Sequence, residues 1–419
     1  MSDVLELRKE PVTLKGKLGD WQAITIKFSG AVIPREREVS FKGAMFAAYP
    51  GDLVFSKIDA RNGAIGLIPD EIPKAIVTSE YPIFIPKPDK LRPVYLRRLL
   101  QATHFRADLQ SKASGTSGRK RITPEGFLSL SVPVPSLPEQ DELVARYSAA
   151  LNEAASKEHE AHALEQAGWQ AFESELGVAP PPLLPDRPVF IAQFAEIERW
   201  SHAGVLSDIN QVESASGPWP LVALGKIGKV SYGIQKCPTN RPTTHARPYL
   251  RVANVQRGFL DLRKIKFINV PEEEMPKLRL EYGDVLLCEG NSPELVGRCA
   301  IWRDEIEDCV HQNHVLRVRL DQSQLLPEFV LSVINSGHGQ AYFRSKAKRT
   351  TNLASINSKE VAGLPVPVPS IPQQSELLEE LNASLDSSRQ KRAEADGIRL
   401  SAWNEFESAL FETPELVVG

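Results

Sequence analysis

Pro133-Val-Pro-Ser-Leu-Pro-Glu-Gln140 recurs 234 residues later as Pro367-Val-Pro-Ser-Ile-Pro-Gln-Gln374, and this repetition decides the fold. At the same offset, without a gap, Trp169-Gln-Ala-Phe-Glu-Ser174 falls on Trp403-Asn-Glu-Phe-Glu-Ser408. Between Pro133 and Leu176, 18 of 44 positions are identical to their counterparts, far more than shared composition produces, so the chain reads as an internal duplication. Each copy is the start of a long helix. Ser136 and Ser370 stand as N-caps, Glu139 and Gln373 follow three residues on to complete a capping box, and a proline occupies each first turn, where its missing N–H costs nothing. Apolar or small residues then recur at spacings of three and four: Leu143, Tyr147, Ala150, Ala154, Ala161 and Leu164 in the first copy. The second carries Leu377, Leu381, Ser384, Ser388, Ala395, Ile398 and Ala402. Alanine and serine in such a seam let two helices approach closely, and each copy gives the other a matched partner.

Outward from the helices, the preceding blocks read as short β-rich runs broken by Gly, Pro and Asn. Strands are expected within Gly51–Lys57, Ala64–Ile68 and Ser79–Ile85, and again within Gly283–Cys288, Val296–Trp302 and Val315–Leu320. Helical segments open at Pro93 and Pro327, 234 apart, and a basic, hydroxyl-rich loop follows each: Ser114–Arg121 and Lys346–Asn352. The fold class is therefore α+β, two similar α/β modules with two long helices in a pseudo-twofold repeat. The boundaries are a first module at 1–135, its helix at 136–177, a proline-stiffened connector at 178–217 with a short helix near Phe190–Trp200, a second module at 218–368 and its helix at 369–419.

Charge follows the same division. The net formal charge of −3 conceals +7 over 1–135 (21 Lys+Arg, 14 Asp+Glu), −7 over 136–177 (2 and 9) and −3 over 178–217 (2 and 5). It continues with +6 over 218–368 (21 and 15) and −6 over 369–419 (4 and 10). Two basic modules suit a polyanion, whereas two acidic helices would be repelled by one and suit a protein partner. With 42% hydrophobic and 25% charged residues in 419, wholesale disorder is excluded. No apolar run approaches the roughly 18 to 20 residues of a membrane span, so a cytoplasmic protein without membrane contact is expected. The four cysteines, Cys237, Cys288, Cys299 and Cys309, form no Cys-x-x-Cys pair and read as reduced packing residues.

Catalytic signatures are missing: no phosphate loop, dinucleotide fingerprint, His-Glu-x-x-His or Gly-x-Ser-x-Gly occurs. Asn291-Ser-Pro-Glu294 lacks the second proline and aromatic of an adenine-methyltransferase loop, Asp284 with Glu289 lacks the following lysine of a nuclease site and reads as solvated caps, and His311 with His314 lacks further metal ligands and reads as a polar loop. What the modules do carry suits nucleic acid. In the first basic loop Ser114, Thr116, Arg119, Lys120 and Arg121, and in the second Lys346, Lys348, Arg349, Thr350 and Asn352, combine long cations with small residues that let backbone N–H groups reach phosphates. Lys57, Arg61 and Asn62 in one module offer groups that pair with base edges, as do Tyr232, Lys236, Asn240, Arg241, Asn291, Arg298, Gln312 and Asn313 in the other.

The duplicated Pro-x-Pro-Ser-[Leu/Ile]-Pro-[Glu/Gln]-Gln box before a long helix, the Gly-Asp-hydrophobic strand and the opening Trp219-Pro-Leu-Val-Ala-Leu-Gly225 resemble the specificity subunit of type I restriction-modification systems. The first module lacks the Trp-x-x-Val-x-Leu opening. The resemblance implies two target-recognition domains reading the halves of a split, asymmetric double-stranded DNA site, separated by two antiparallel conserved helices. It implies a non-catalytic chain without cofactor or metal that docks two copies of a DNA adenine methyltransferase subunit. S-adenosylmethionine belongs to that partner, and ATP and Mg to restriction or translocase subunits where these join. The competing readings are an enzyme acting on DNA in its own right, which methyl transfer by the isolated chain would reveal, and a scaffold without DNA contact, which failure to bind any duplex would reveal.

Overall fold

The computed structural model describes residues 1–14, 18–35, 44–113, 121–178, 217–292, 295–349 and 354–411. The connector, with its expected helix near Phe190–Trp200, lies outside them. Two compact units emerge that cut across both long helices: one comprises 1–158 with 392–419, the other the continuous stretch 159–391.

In the first unit an antiparallel four-stranded sheet runs Leu5–Arg8, Ile83–Pro86, Leu53–Phe55, Ile65–Leu67. A five-stranded sheet runs Pro11–Val12, Met45–Ala48, Ala75–Thr78, Gln22–Ile26, Val32–Pro34, with a parallel pairing between the third and fourth strands. The second unit repeats the plan: an antiparallel sheet of Gly228–Ser231, Val315–Leu320, Val285–Cys288 and Cys299–Ile301, and a three-stranded sheet in which Ala246–Leu250 and Val310–His311 run parallel. Helices begin at Pro93, Thr103 and Pro124 and again at Pro327, Gly337 and Ser358, each 234 residues on. The expected strands are all present, most of them shortened by their turns, while Val315–Leu320 is complete and the strand expected within Ser79–Ile85 runs on to Pro86. In the first core Phe55, Phe84 and Phe127 are fully buried with ring centroids 4.8 to 6.0 Å apart, a cluster whose truncation at any member costs about 3–5 kcal/mol.

The long helices are Leu137–Leu176 and Ile371–Phe411. In the first unit Tyr147 meets Trp403 (5.8 Å) and Phe406 (5.6 Å), and Lys157 pairs with Glu394 (3.4 Å). In the second Glu160 pairs with Lys391 (3.2 Å), and a Cβ on Gly168 would meet Ser384 Cβ at 2.6 Å. Rising numbers on one helix face falling numbers on the other within each unit, so the pair is antiparallel in both. The expected seam is real: Ala154, Ala161, Ser388 and Ala395 are at most 1% exposed. The caps differ from the expected box in one respect. Glu139 accepts from the Ser136 N–H (2.8 Å) and also from the Ser136 hydroxyl (2.7 Å), and Gln373 does the same for Ser370 (3.1 and 2.6 Å). The two serine bonds hold the Glu139 carboxyl below its usual range.

The repeat is also written in hydrogen bonds. Gln140, wholly buried, accepts from Arg92 N–H (2.9 Å) and donates to Lys90 O and Pro135 O; Gln374 accepts from Leu326 N–H (2.9 Å) and donates to Gln324 O and Pro369 O. Each module is completed by the far end of the other copy's helix. Phe406 lies against Tyr95 (6.3 Å) as Phe172 lies against Phe329 (6.0 Å), while Glu407 accepts from Thr103 N–H as Glu173 accepts from Gly337 N–H. Burial raises the Glu173 carboxyl, against the pull of the two backbone donors at Gly337 and His338. Cys288, Cys299 and Cys309 are packing residues as expected, burial pushing their thiols up. Cys237 is the exception: half-exposed, its Sγ is 2.9 Å from Thr239 Oγ1, a bond that lowers its pKa.

Candidate nucleic-acid interface

In the first unit the strand Leu53–Phe55 delivers the chain to Lys57, whose N–H donates to Glu80 O (3.0 Å) and whose carbonyl accepts from Ile122 N–H (2.8 Å). The foot of the first basic loop is thereby tied to the polar turn. Arg121 stands there, exposed and paired with Glu80 (3.3 Å). A 3-10 turn, Ala60–Asn62, carries the half-buried Arg61 and the exposed Asn62, whose amide donates to Asp59 Oδ1 (3.3 Å). Ser114, Thr116, Arg119 and Lys120 lie outside the described residues.

The second unit does the same with a small sheet. Gly290–Asn291, Ala354–Ser355 and Lys348–Arg349 pair as a three-stranded ribbon, which gathers Asn291 and the second basic loop on one element although 57 positions separate Asn291 from Lys348. Ile356 N–H donates to Glu289 O (2.8 Å) as Ile122 does to Lys57. Lys346 closes the helix before the ribbon and Lys348 is exposed on it, while Thr350 and Asn352 lie outside the described residues. Lys236 and Arg241 are exposed on the loop after Tyr232, whose hydroxyl accepts from Ser358 N–H (3.1 Å). Gln312 and Asn313 are half-buried and fixed through their backbone N–H groups to Leu250 O and Ile234 O (both 2.9 Å).

Two candidates spend their polar groups on the protein itself. Asn240 accepts from Cys237 N–H (2.9 Å) and donates to Gln235 O (2.6 Å), closing its own turn. Arg298 donates to Val252 O (2.8 Å), Cys288 Sγ (3.4 Å) and Gln256 Oε1 (3.3 Å). Asp284 is no solvated cap: 1% exposed, it takes Arg319 on both carboxylate oxygens (2.8 and 2.7 Å) and Glu281 N–H. Asp52 repeats the motif with Arg8 and Tyr49 N–H, both aspartates following a glycine at φ +83 or +88. Nor is His311 in a polar loop. It is fully buried, with Nδ1 2.7 Å from Val315 O and Nε2 without a hydrogen-bond partner among the described residues, whereas His314 is exposed and sits 2.6 Å from Glu289. Among the described residues no cluster of three or more His, Cys, Asp or Glu side chains could hold a metal ion, and no helix among them is long and apolar enough to cross a membrane.

Two residues escaped the sequence reading. Phe28 and Phe259 are 60% and 61% exposed at tight turns, each beside a glycine at φ +83, Gly30 and Gly258. Gly30 abuts Ile65 O, and Gly258 N–H donates to Cys299 O (2.8 Å), equivalent strand positions in the two units. Each unit therefore holds an exposed phenyl ring at this turn, in the second unit in addition to the exposed Tyr232, and such a ring is the kind of group that stacks on a base or wedges between two. The signal was present as Lys27-Phe-Ser-Gly30 and Arg257-Gly-Phe259, but the offset differs between the copies and the gapless repeat hides it.

No protein-family model matches the chain. Curated relatives do. The chain is 27% identical over 131 residues to the putative type I restriction enzyme MjaX specificity subunit of Methanocaldococcus jannaschii, a match covering 31% of each protein. It is 21% identical over 287 residues to the type I restriction enzyme EcoKI specificity subunit of Escherichia coli, covering 68% of this chain and 56% of that protein. The matches thus span about a third to just over half of these relatives' length. A chain solved for complex assembly and conformational transition of the type I R-M system superposes with a TM-score of 0.55 at 14% identity, over 96% of this chain and 97% of that one, which establishes a shared fold. In sequence this protein is similar to the specificity subunits of type I restriction enzymes, and in fold to a chain of a type I R-M system.

Proposed function

We propose that this chain is the DNA-binding specificity subunit of a type I restriction-modification complex, itself non-catalytic, each unit reading one half of a bipartite, asymmetric site. The observation that carries the reading is the doubled juxtaposition of polar turn and basic loop, tied at Ile122–Lys57 in one unit and through the Gly290–Asn291 ribbon in the other. Cations neutralise phosphates there while neighbouring amides and an exposed phenyl ring meet bases. The turns differ in sequence, Lys57–Gly63 against Glu289–Val296, which supports different half-sites. Each long helix, of 40 or 41 residues, is about 60 Å long, a length suited to a spacer between two readers.

The helices dock two copies of an adenine methyltransferase subunit, which brings S-adenosylmethionine; restriction subunits using ATP and Mg join where cleavage occurs. Phe172 and Phe406 are 3% exposed and belong to the cores, so of the four aromatics of the repeated Trp-x-x-Phe it is the half-exposed Trp169 and Trp403 that are left for a partner. Mapping methylated adenines in cells with and without the chain tests the reading: one bipartite motif disappears with it. Exchanging the second module for a relative's changes one half of that motif, and a change in both halves contradicts the assignment.

A further inference from the structure

In the first unit a cavity of about 260 Å³ opens between the Ser29–Val32 turn, the strand Ile65–Leu67 and the helices Pro93–Leu99 and Thr103–Ser111. The turn packs directly on the strand, backbone to backbone: a Cβ on Gly66 would sit 2.1 Å from Gly30 O. The opposite wall carries Arg97, Gln101 and Arg106. Among the described residues the lining holds two guanidinium groups and no carboxylate, and neither arginine has an ion-pair partner. Arg106 Nε is shielded from solvent and has no hydrogen-bond partner among them. A shielded guanidinium N–H without an acceptor costs free energy that an anion would recover.

The second unit shows how the same place looks when filled from within. There Arg257, next to Gly258, extends its guanidinium to Asn335 Oδ1 (3.4 Å), and burial lowers its pKa. Asn335 stands 234 residues after Gln101, while Leu331 and Gln340 replace Arg97 and Arg106. In the first unit the residue before the turn glycine is the short Ser29, so the cations come from the helices and point at open space. The cavity shares Gly63 with the Asp59–Gly63 turn, beside Phe28, whose carbonyl oxygen a Cβ on Gly63 would meet at 2.1 Å.

We infer that this cavity seats one backbone phosphate of duplex DNA, gripped by Arg97, Arg106 and Gln101, and that the second unit has no such seat. The inference rests on the DNA-binding reading above. The test measures binding of the full chain, and of its R97Q/R106Q, R97K/R106K and S29E variants, to one duplex over a salt series. One lost phosphate contact lowers the log–log salt slope by about 0.9, which is expected of R97Q/R106Q together with at least tenfold weaker binding, while R97K/R106K keeps the slope. Ser29 is exposed, so S29E sets a carboxylate at the mouth without touching the core, and it weakens binding even if R97Q/R106Q fails to fold. Wild-type slope and affinity in R97Q/R106Q, or in S29E where that variant does not fold, overturn the inference while leaving the function standing. Absence of duplex binding by the wild type overturns both. A melting temperature raised by inorganic phosphate in the wild type but not in R97Q/R106Q, with unchanged duplex slope, assigns the cavity to a small free anion and overturns the DNA source.

Discussion

Asp284 and His311 show what single residues do in the second unit, and neither role was legible. A Gly-Asp before a strand reads as a turn, and only the fold brings Arg319 across to bury the carboxylate. Asp284→Ala leaves the partly exposed Arg319 its pairing with Glu281 but takes the acceptor from the Glu281 N–H and empties a buried site, so it is expected to cost about 1–3 kcal/mol, read as a lower denaturant midpoint. His311 is held neutral with its Nδ1 hydrogen on Val315 O, and burial, with Arg317 and Arg319 adding to it, pushes its pKa down to about 4. Unfolded, the same ring titrates near 6.5. The native state thus binds fewer protons than the unfolded chain between these values, so stability is full above about pH 6.5 and falls by about 1.4 kcal/mol per unit as pH drops toward 4. His311→Gln is expected to remove that part of the acid sensitivity, seen by comparing melting temperatures of both proteins at pH 7 and 4.5.

At the scale of elements, the helix pair was the most readable part because its signals are local: a cap, a first-turn proline and a seam of period three and four. The seam also sets the sharpest limits on substitution. Gly168→Ala gains about 1 kcal/mol of helix propensity but places a methyl 2.6 Å from Ser384 Cβ, so a net loss is expected, relieved in the Gly168→Ala/Ser384→Gly double variant and measured by thermal unfolding. Ser388 has the opposite sign. Its hydroxyl is buried without a hydrogen-bond partner among the described residues, and Ser388→Ala is expected to raise stability by about 1 kcal/mol in the same measurement. The five-stranded sheet of the first unit went unread. Gln22–Ile26 and Ala75–Thr78 pair in parallel across 52 intervening residues or so, and short runs without strict alternation carry no mark of such a partner.

For the whole molecule, the duplication announced two modules and two helices, but not which helix end completes which module. That knowledge lies in contacts such as Tyr95 with Phe406, whose members are 311 positions apart, and the repeated Trp-x-x-Phe-Glu only hinted at it. The exchange of helix ends has a consequence for synthesis. The second unit is one uninterrupted stretch, 159–391, so its core is complete once that stretch has left the ribosome. The first unit, although most of it is translated before the second, waits for Arg392–Phe411, which follow the whole second unit. A chain ended after Lys391 is expected to keep slow hydrogen exchange in Val315–Leu320 and lose it in Leu53–Phe55, so that a nonsense codon just past the second unit disables the unit begun before it.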